Sequence, residues 1–458
     1  MEQTATTVLE RAREQQQASL SSLLPPRSID FFSDERHAEA ASRVRIVGAE
    51  DLSPDQRAAF EQILSWAHRP SQPVLSLGGY AGTGKTTLMA AVADVLCRQR
   101  GLAVAFLTPT AKASSVLTRK LGKLAYAATF IGTVHSFMYV PILDANEELT
   151  GWGRRYFERV EYPDGSVSYM AKGNSDVPRL NLIIVDEASM VNAEMEADIL
   201  AFGIPVLAVG DHGQLPPVQG QSSWMTSPDI RLEQIHRQAA DNPILALATF
   251  VREVGRLPPG VEDFGIPYFH SLKAMENGLR DAYVRRGLHE VAMITYTNRL
   301  RAQLNLAVHQ ELQHADDPCK GTQVICLKND RPMINGMRGV VVSDVEHKHI
   351  WCVGRVEFPD EGLTYHGPFL RKQFGLAKVP KNLDVASELL GRKVEKLEHL
   401  GVLLDYGYAL TCHKAQGSQF QEVFVVLEGG RRPPDYARWL YTAITRASEQ
   451  LSFCETWS

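Results

Sequence analysis

The chain has 458 residues, 44% of them hydrophobic and 22% charged, which is enough for two to four domains with cores of their own. No apolar run approaches the roughly 20 residues that span a membrane, and the first residues lack the apolar segment of a signal peptide, so no membrane partner is predicted. The formal net charge of −5 excludes a large basic surface, so a contact with nucleic acid is predicted to be a local groove.

The cysteines indicate a compartment. Six are scattered along the chain, and none forms a C-x-x-C pair. This distribution argues against a zinc site or a disulfide framework. We therefore predict a reducing compartment, which is the cytoplasm.

The first part of the chain differs in composition from the rest. Residues 1–45 are rich in Gln, Ser and Arg and are interrupted by "LLPP". We predict a loose extension with at most one helix for this stretch.

An α/β pattern begins at "LSPDQRAAF", which starts at Leu52. Apolar runs typical of buried parallel strands recur from there, and helical patterns separate several of them. The runs are "VLSLGG", "AVAFLTP", "NLIIVDE", "PVLAVGD", "VAMITYT" and "VFVVLEG". Repeated βα units predict an α/β fold with a mostly parallel sheet.

Two segments depart from this pattern. Within residues 139–177, "YPDGS" is a turn signal between short alternating stretches, which predicts a β-hairpin. Within residues 316–402, short strands and an Asn-Gly turn predict a small β-barrel-like insert.

The stretch from Gly79 to Thr86, "GYAGTGKT", matches G-x-x-x-x-G-K-[ST] in full. Its glycines let backbone N–H groups converge on phosphate oxygens, and the following helix adds the positive end of its dipole. Lys85 is predicted to reach the β- and γ-phosphates, and the Thr86 hydroxyl to bind Mg²⁺. A chance glycine turn is the alternative, and the strand before it and the helix after it argue against that. The predicted nucleotide-binding residues of the loop are Gly79, Ala81, Gly82, Thr83, Gly84, Lys85, Thr86 and Thr87.

A second acidic motif supports hydrolysis of the bound nucleotide. In "NLIIVDEAS", Asp186 is predicted to hold Mg²⁺ through water, and Glu187 to polarise an attacking water as general base. An exposed acidic turn after a strand is the alternative, which the phosphate loop upstream disfavours.

Three further polar residues have the right chemistry for this site. In "AVGDHGQLPPV", the Gln214 amide follows an apolar strand and is suited to sense a γ-phosphate. Arg237 in "LEQIHRQ" and Arg446 in "LYTAITRAS" carry the charge that stabilises a transferring phosphoryl group. Taken singly, each is also compatible with a polar loop or a surface ion pair.

In order and spacing, these motifs resemble those of the superfamily 1B DNA helicases, of the phage Dda-like and bacterial RecD type. The resemblance covers most of residues 50–458, and the two inserts are closest in size and position to the Dda-like proteins. Besides the motifs above, it is carried by "TPTAKAS", "GTVHSFM", "YTNRLRAQLN" and "LTCHKAQGSQF". It implies two RecA-like P-loop NTPase motor domains with a β-hairpin (pin) insert and an SH3-like β insert.

The resemblance also implies the domain boundaries. Residues 1–45 are the extension outside the family core. The implied domains are motor domain 1A at 46–138 and 178–230, the pin or wedge insert 1B at 139–177, motor domain 2A at 231–315 and 403–458, and the SH3-like insert 2B at 316–402.

Roles around the nucleotide follow from the same resemblance. Arg237 and Arg446 are implied to be arginine fingers from the second motor domain, and Gln214 to couple the γ-phosphate to DNA. Gly417, in the "HKAQG" turn, is implied to lie near the phosphates.

Gln56 matches the family's adenine-reading glutamine upstream of the phosphate loop. The residues Ser53 to Gln56 also form a capping box, with Pro54 at the first helical position. Both interpretations remain open at this point.

A track for single-stranded DNA is the next implication. Hydroxyls, backbone amides and stacked rings bind a strand without reading its sequence, as a motor requires. Core packing is the alternative for any one histidine or phenylalanine. The predicted track residues are Pro109, Thr110, Lys112, Thr133, His135 and Phe137 in the first motor domain, and Thr295, Asn298, Arg299, Thr411, His413 and Lys414 in the second. In the pin, Tyr156, Phe157, Tyr162 and Tyr169 are predicted to stack on a base pair, with a bland hairpin as the alternative.

One position departs from the family pattern. Where RecD-type proteins often have Glu in "QGSEF", this chain has Gln419. A carboxylate suited to a ribose hydroxyl is thereby replaced by a neutral amide, which leaves the choice of nucleotide sugar open.

The sequence therefore predicts an ATP- and Mg²⁺-dependent DNA helicase that moves 5′→3′ on single-stranded DNA, in replication, repair or recombination. Its implied partners are single-stranded DNA and duplex junctions, with replication or single-strand-binding proteins as candidates, and it is predicted to be a monomer in a bacterial cell or phage-infected host. The alternatives are a P-loop ATPase that remodels RNA or protein–nucleic acid complexes, and a binding module with a vestigial nucleotide site.

Overall fold

The computed structural model describes most of the chain. The described residues are 25, 27–31, 48–143, 149–162, 165–172, 177–217, 223–234, 242–287, 290–313, 315–328, 333, 335–359, 362–380, 382–429 and 432–456. They fall into two compact units, a larger one from Ser33–Leu279 and Cys412–Ser458, and a smaller one from Met1–Phe32 and Arg280–Thr411.

Helices and strands alternate along much of the chain. The α-helices are Pro54–His68, Lys85–Ala93, Ala111–Leu121, Val134–Met138, Ala193–Leu200, Pro243–Val254, Leu272–Arg286, Asn298–Gln313, Leu383–Leu390, Cys412–Ala415 and Tyr436–Ile444. The strands are Ser28–Phe31, Val74–Gly79, Val104–Thr108, Phe130–Thr133, Tyr139–Leu143, Leu149–Arg154, Phe157–Glu161, Val167–Ala171, Arg179–Leu180, Leu182–Val185, Val206–Gly210, Ile230–Leu232, Tyr268–Phe269, Val291–Thr295, Gln323–Cys326, Arg338–Val341, Glu346–Lys348, Trp351–Phe358, Leu363–Leu370, Leu404–Tyr406, Ala409–Thr411, Phe420–Glu428 and Ala447–Thr456. None of the described helices combines the length and the apolar character needed to cross a lipid bilayer.

A six-stranded parallel sheet forms the centre of the larger unit. Its strand order is Ile230–Leu232, Val74–Gly79, Val206–Gly210, Leu182–Val185, Val104–Thr108, Phe130–Thr133. The four central strands are almost wholly buried because helices cover both faces, and this is why their sequences are continuous apolar runs. The predicted α/β fold with a parallel sheet is confirmed.

Helix starts in this unit are fixed by side-chain caps. The Ser53 hydroxyl accepts a hydrogen bond from the Gln56 backbone N–H. In return, the Gln56 side-chain oxygen accepts one from the Ser53 backbone N–H. Thr110, Thr133 and Asn242 cap the helices that follow them, because each side chain accepts an N–H of the first turn. Each cap satisfies N–H groups that have no partner within the helix, so the strand-to-helix turns are well defined.

Three further parallel strands pair with one another in the same unit. Ala447–Thr456 lies between Tyr268–Phe269 and Phe420–Glu428. The helix Tyr436–Ile444 connects two of these strands, and its side chains from Trp439 to Ile444 are buried. This arrangement fixes the position of the residues that follow the helix, including Arg446.

The described residues between Tyr139 and Leu180 form two antiparallel sheets. Tyr139–Leu143 pairs with Leu149–Arg154, and Val167–Ala171 lies between Phe157–Glu161 and Arg179–Leu180. The predicted hairpin is therefore present, with Gly165 in a left-handed conformation at its turn. Its role as a pin stays a prediction.

The smaller unit contains a seven-stranded antiparallel sheet. Its path is Ser28–Phe31, Leu363–Leu370, Trp351–Phe358, Arg338–Val341, Gln323–Cys326, Leu404–Tyr406, with Glu346–Lys348 paired to Trp351–Phe358. The same unit also contains a pair of parallel strands, Val291–Thr295 and Ala409–Thr411. The likeness to an SH3-type domain stays a prediction.

The stretch predicted as a loose extension contributes a strand to this sheet. Ser28–Phe31 pairs antiparallel with Leu363–Leu370, from Ser28 opposite His366 to Phe31 opposite Leu363. The prediction missed it because the short run "SIDF" has no neighbouring hairpin partner and pairs with a strand far along the chain.

The two units do not follow the predicted domain boundaries. The predicted second motor domain contributes Val291–Thr295 to the smaller unit, and Phe420–Glu428 and Ala447–Thr456 to the larger one. The division into motor domains and inserts stays a prediction.

Candidate nucleotide site and nucleic-acid track

The phosphate loop lies between the strand Val74–Gly79 and the helix Lys85–Ala93, as its sequence predicts. Gly82 and Gly84 have φ angles of 80° and 74°, which residues with a Cβ rarely adopt. At Gly79 a Cβ would come within 2.7 Å of the Thr83 hydroxyl oxygen. Glycine is therefore required at these positions for the loop to close tightly.

Lys85 points back into the loop. Its ammonium donates to the Gly79 carbonyl at 2.5 Å and to the Tyr80 carbonyl at 3.0 Å. The Thr83 hydroxyl also donates to the Tyr80 carbonyl, at 2.8 Å, and the Thr83 side chain is fully buried. Lys85 thus brings a positive charge to the mouth of the loop, while Thr83 stabilises its shape.

Gln56 braces the phosphate loop from behind. Its side-chain amide donates to the carbonyls of Thr83 at 3.1 Å and Gly84 at 3.2 Å, while its oxygen accepts from the Ser53 N–H. The residue is only 1% exposed. Both ends of its amide are therefore used within the protein. The capping interpretation is confirmed, and the contact of Gln56 with the adenine stays a prediction.

We expect Gln56→Leu to weaken the loop without changing the choice of base. The buried Thr83 carbonyl would lose this donor, while the Gly84 carbonyl would keep the Leu88 N–H. Loss of a donor to a buried carbonyl typically costs about 1–3 kcal/mol of the free energy of unfolding. Chemical denaturation measures that loss, and the KM values for ATP and GTP should rise by the same factor. Gln62→Leu, at an exposed position of the same helix, is the matched control. A selective rise of the KM for ATP would instead support the adenine role.

Asp186 and Glu187 follow the strand Leu182–Val185 at the end of the sheet that also carries the phosphate loop. The Asp186 carboxylate accepts from the Glu187 N–H at 2.9 Å. Burial, with a smaller contribution from the Glu187 charge, raises the pKa of Asp186 above its usual range. Glu187 has φ 54° and ψ 37°, a left-handed conformation that is unusual for a residue with a side chain. Such backbone strain is found at functional sites more often than elsewhere.

Gln214 lies in the turn after the neighbouring strand Val206–Gly210. It is 6% exposed, and its amide nitrogen is 3.4 Å from an Asp211 carboxylate oxygen. Its side-chain oxygen is buried and has no hydrogen-bond partner among the described residues. An unpaired buried acceptor beside a phosphate loop is suited to a ligand or a water.

Arg446 is held by its own surroundings. Its guanidinium donates to the carbonyls of Thr442 and Ser418, both at 3.1 Å, and to the Thr445 hydroxyl at 3.2 Å. The residue is 4% exposed. Arg237, the other predicted arginine finger, lies outside the described residues.

One cleft of about 400 Å³ brings most of these residues together. The predicted residues that line it are Ala81, Gly82, Gly84, Lys85, Thr86, Glu187, Gln214, Gly417 and Arg446, and Gln419 lines it as well. Gly79, Thr83 and Asp186 support the cleft from the adjacent backbone, and Thr87 is half-buried in the helix behind it. Lys85 and Arg446 thus share one cleft, as the sequence analysis required.

Several lining residues were missed by the sequence analysis. Asn242, Ile244 and Leu245 form part of the wall at the start of the helix Pro243–Val254. The Asn242 side chain accepts from the N–H groups of Ile244 and Leu245, so the helix begins at the cleft. The signal was available as Asn-Pro, a cap followed by proline at the first helical position.

The predicted DNA track in the larger unit is only partly accessible. Pro109, Thr110 and Lys112 are half-buried around the start of the helix Ala111–Leu121. His135 is exposed and Thr133 is half-buried. Thr110 and Thr133 also cap helices, so both hydroxyls already accept an N–H.

Phe137 is a core residue and not a track residue. It is fully buried and packs against Phe157 and Phe202, with ring centroids at 6.0 and 5.3 Å. Phe157 packs in the same aromatic cluster, and Tyr169 is only 8% exposed, so neither ring of the hairpin is accessible for stacking on a base pair. Tyr156 and Tyr162 remain, with 63% and 38% of their surface exposed.

The remaining track residues differ in accessibility. In the smaller unit, Thr295 is fully buried with its hydroxyl near the carbonyls of Thr297 and Leu410, and Thr411 is 7% exposed. Both are therefore assigned to the fold, which corrects their predicted contact with DNA. Asn298 and Arg299 are exposed there. In the larger unit, His413 and Lys414 are half-buried, and burial lowers the pKa of His413.

A parallel sheet with a phosphate loop, an acidic strand end and a shared cleft defines a P-loop nucleotide-binding protein. The sequence pattern of the "AAA domain" family matches residues 51–256, and that of the "UvrD-like helicase C-terminal domain" family matches residues 406–454. These two matches span Lys85, Glu187, Gln214 and Arg446. Two regions of the chain are therefore similar to nucleotide-binding and helicase domain families, in agreement with the resemblance seen in the sequence motifs.

Individual curated proteins with similar sequences are helicases by name. The chain is 28% identical over 411 residues to the ATP-dependent RecD2 DNA helicase of Deinococcus radiodurans, covering 87% of this chain and 48% of that protein. It is 24% identical over 323 residues to the ATP-dependent DNA helicase dda of Enterobacteria phage T4, covering 65% of each. The chain thus spans about half the length of the first relative and under two thirds of the second.

Solved structures of Pif1 helicases overlap loosely with this fold. The Bacteroides Pif1 helicase in complex with ADP-AlF3 and ssDNA gives a TM-score of 0.47 at 17% identity, covering 86% of this chain and 91% of that one. An overlap at this level assigns no roles to residues.

Proposed function

We propose that this chain is an ATP-dependent DNA helicase that moves 5′→3′ along single-stranded DNA and separates duplex DNA. The observation that supports it best is the single cleft shared by Lys85, Glu187, Gln214 and Arg446. These four groups are a cation for the phosphates, a base for water, a neutral sensor and a second cation, which together suit phosphoryl transfer to water.

In the proposed reaction, Glu187 accepts a proton from a water that attacks the γ-phosphorus. The bond from the γ-phosphorus to its bridging oxygen breaks, and ADP leaves with that oxygen. Lys85 and Arg446 stabilise the negative charge that spreads over the transferring group. Gln214 changes its contacts when the terminal phosphate leaves, and this change is passed on to the DNA contacts.

Mg²⁺ is the proposed cofactor. The Thr86 hydroxyl lines the cleft, and the Asp186 carboxylate lies at the adjoining strand end. Hydroxyl and carboxylate oxygens are the ligands that Mg²⁺ prefers, so these residues fit the ion. When bound, the ion would neutralise charge on the β- and γ-phosphates.

Turnover of ATP with and without oligo-dT or oligo-U tests the substrate class. We expect oligo-dT to stimulate turnover strongly and oligo-U weakly. Stimulation by RNA alone would favour an ATPase that remodels RNA, and no stimulation by either would contradict a nucleic-acid motor. A forked duplex with a 5′ or a 3′ tail then tests polarity, because only the 5′-tailed substrate should be unwound.

The hairpin of Phe157–Glu161 and Val167–Ala171 is proposed as the pin that splits the duplex. Base stacking on an aromatic ring contributes about 1–3 kcal/mol per base, so Tyr162→Ala should slow unwinding of the forked duplex by about tenfold. Turnover of ATP on oligo-dT should be retained. Tyr169→Phe, a change in a buried ring of the same hairpin, is the control. Equal unwinding by Tyr162→Ala and the unchanged protein would refute the pin.

Single-stranded DNA and duplex junctions are the proposed partners, with replication or single-strand-binding proteins as further candidates. A monomer in the cytoplasm remains our prediction, and size-exclusion chromatography with light scattering tests the monomer.

A further inference from the structure

We propose that Tyr441 is a positioning residue that couples the phosphate loop to the Gln214 turn. Tyr441 lies in the helix Tyr436–Ile444 and is 2% exposed. This inference rests on the proposed function, because it concerns how nucleotide binding is passed to the rest of the site.

The Tyr441 hydroxyl makes two hydrogen bonds that join separate motifs. It accepts from the Ala81 backbone N–H at 2.8 Å, and it donates to the Asp211 carboxylate at 2.8 Å. Asp211 is 1% exposed, and it also accepts from the Gly213 N–H at 2.9 Å and is approached by the Gln214 amide. A continuous buried chain of hydrogen bonds therefore runs from Ala81 through Tyr441 and Asp211 to Gln214.

The helix that carries Tyr441 is tied to the same turn by a second set of bonds. The Leu215 N–H donates to the Thr442 hydroxyl at 2.9 Å, and the Gln416 amide donates to the Leu215 carbonyl at 2.8 Å. Both backbone groups of Leu215 are thus held from the C-terminal part of the chain. A shift of Tyr441 would be transmitted to the turn rather than absorbed locally.

Ala81 makes this chain of hydrogen bonds sensitive to the bound nucleotide. It lines the cleft within the phosphate loop, where backbone N–H groups are the phosphate ligands. A backbone N–H has one proton to donate. A phosphate oxygen and the Tyr441 hydroxyl therefore compete for the Ala81 N–H, and binding of the phosphate releases Tyr441.

Release of Tyr441 changes the surroundings of Gln214. The hydroxyl donates to a buried carboxylate, and hydrogen bonds to charged acceptors are the stronger ones. When Tyr441 moves, the Asp211 oxygen that it held keeps only the Gln214 amide as a donor and turns toward it, while the other Asp211 oxygen still accepts from the Gly213 N–H. The buried, unpaired oxygen of Gln214, a residue that lines the cleft, changes its orientation as a result.

Tyr441→Phe tests the coupling, because it removes the oxygen and keeps the ring. We expect the Kd for magnesium adenylyl-imidodiphosphate, measured by calorimetry, to fall by about three- to tenfold, because no hydroxyl competes for the Ala81 N–H. The ratio of oligo-dT-stimulated to unstimulated ATP turnover should fall by about tenfold, because binding no longer reaches Gln214. A residue with a purely structural role would give the opposite sign for Kd.

Tyr436→Phe is the matched control on the same helix. The Tyr436 ring stacks on Trp439, and no hydrogen bond of its hydroxyl is seen within the described part of the chain. This variant should behave as the unchanged protein in both measurements. Unchanged or weaker binding by Tyr441→Phe, with normal thermal unfolding, would overturn the proposal.

Two further outcomes are separable. If the unchanged protein shows no stimulation by DNA, the proposed function fails, while the Kd of Tyr441→Phe still decides the competition for Ala81. If Tyr441→Phe does not fold, Asp211→Asn tests the Asp211 end of the hydrogen-bond chain. The side-chain amide of the new asparagine is a weaker acceptor than the carboxylate for the two donors, the Tyr441 hydroxyl and the Gln214 amide. Its stimulation ratio should fall by a similar factor, and a normal ratio would overturn the coupling.

Discussion

Glu187→Gln is expected to stop ATP turnover while leaving nucleotide binding intact. The amide keeps the size and the left-handed backbone of residue 187 but cannot accept a proton from water. General-base catalysis contributes about 10²–10⁴-fold, so kcat should fall by that factor. Steady-state turnover with oligo-dT measures kcat, and calorimetry with a nonhydrolysable ATP analogue measures binding.

Glu194→Gln is the control for Glu187→Gln. Glu194 is exposed on the helix that follows the same strand end, away from the cleft. It should turn over ATP at the normal rate. Retained turnover in Glu187→Gln would mean that another group is the base, and lost binding would mean that Glu187 supports the loop instead.

Lys85→Ala is expected to weaken both binding and turnover. The ammonium is the charged group of the phosphate loop, and it also holds the carbonyls of Gly79 and Tyr80. Loss of one preorganised charge at a transferring group typically costs about 10²–10³ in kcat. The Kd for the analogue should also rise by at least about tenfold, measured by calorimetry.

Lys273→Ala, at an exposed position of the helix Leu272–Arg286, is the control for the loss of one positive charge. Thermal unfolding separates a loss of chemistry from a loss of folding, since Lys85→Ala should unfold within a few degrees of the unchanged protein. Normal binding by a folded Lys85→Ala would contradict the assignment of the phosphate site.

The local parts of this architecture were predictable. The phosphate loop, the acidic strand end and the parallel strands each depend on residues that are close in sequence, so glycine spacing and apolar runs were sufficient. The capping box at Ser53 and Gln56 was equally local. Its residues could not show that the same glutamine also reaches the carbonyls of Thr83 and Gly84, because that contact depends on how a helix packs on the loop.

Burial was the main source of error. Phe137, Thr295 and Thr411 stand in motifs that resemble DNA-contacting ones, and only packing shows that their side chains are enclosed. The contribution of Asn242 to the cleft wall was missed for a related reason. Only the tertiary fold brings the start of the helix Pro243–Val254 to the cleft. Tyr441 stands within the motif "LYTAITRAS", but its two hydrogen bonds depend on residues far away in the sequence and could not be predicted from that motif.

The strand Ser28–Phe31 has a practical consequence for shortened versions of this protein. It is the outermost member of its sheet and shields Leu363–Leu370. A chain cut to begin at Gly48 would lack Ser28–Phe31 and would leave Leu363–Leu370 as an open edge of the sheet. The unpaired N–H and C=O groups of that edge could then pair with another copy of the protein. Such a truncation is therefore an aggregation hazard even though it leaves the phosphate loop untouched.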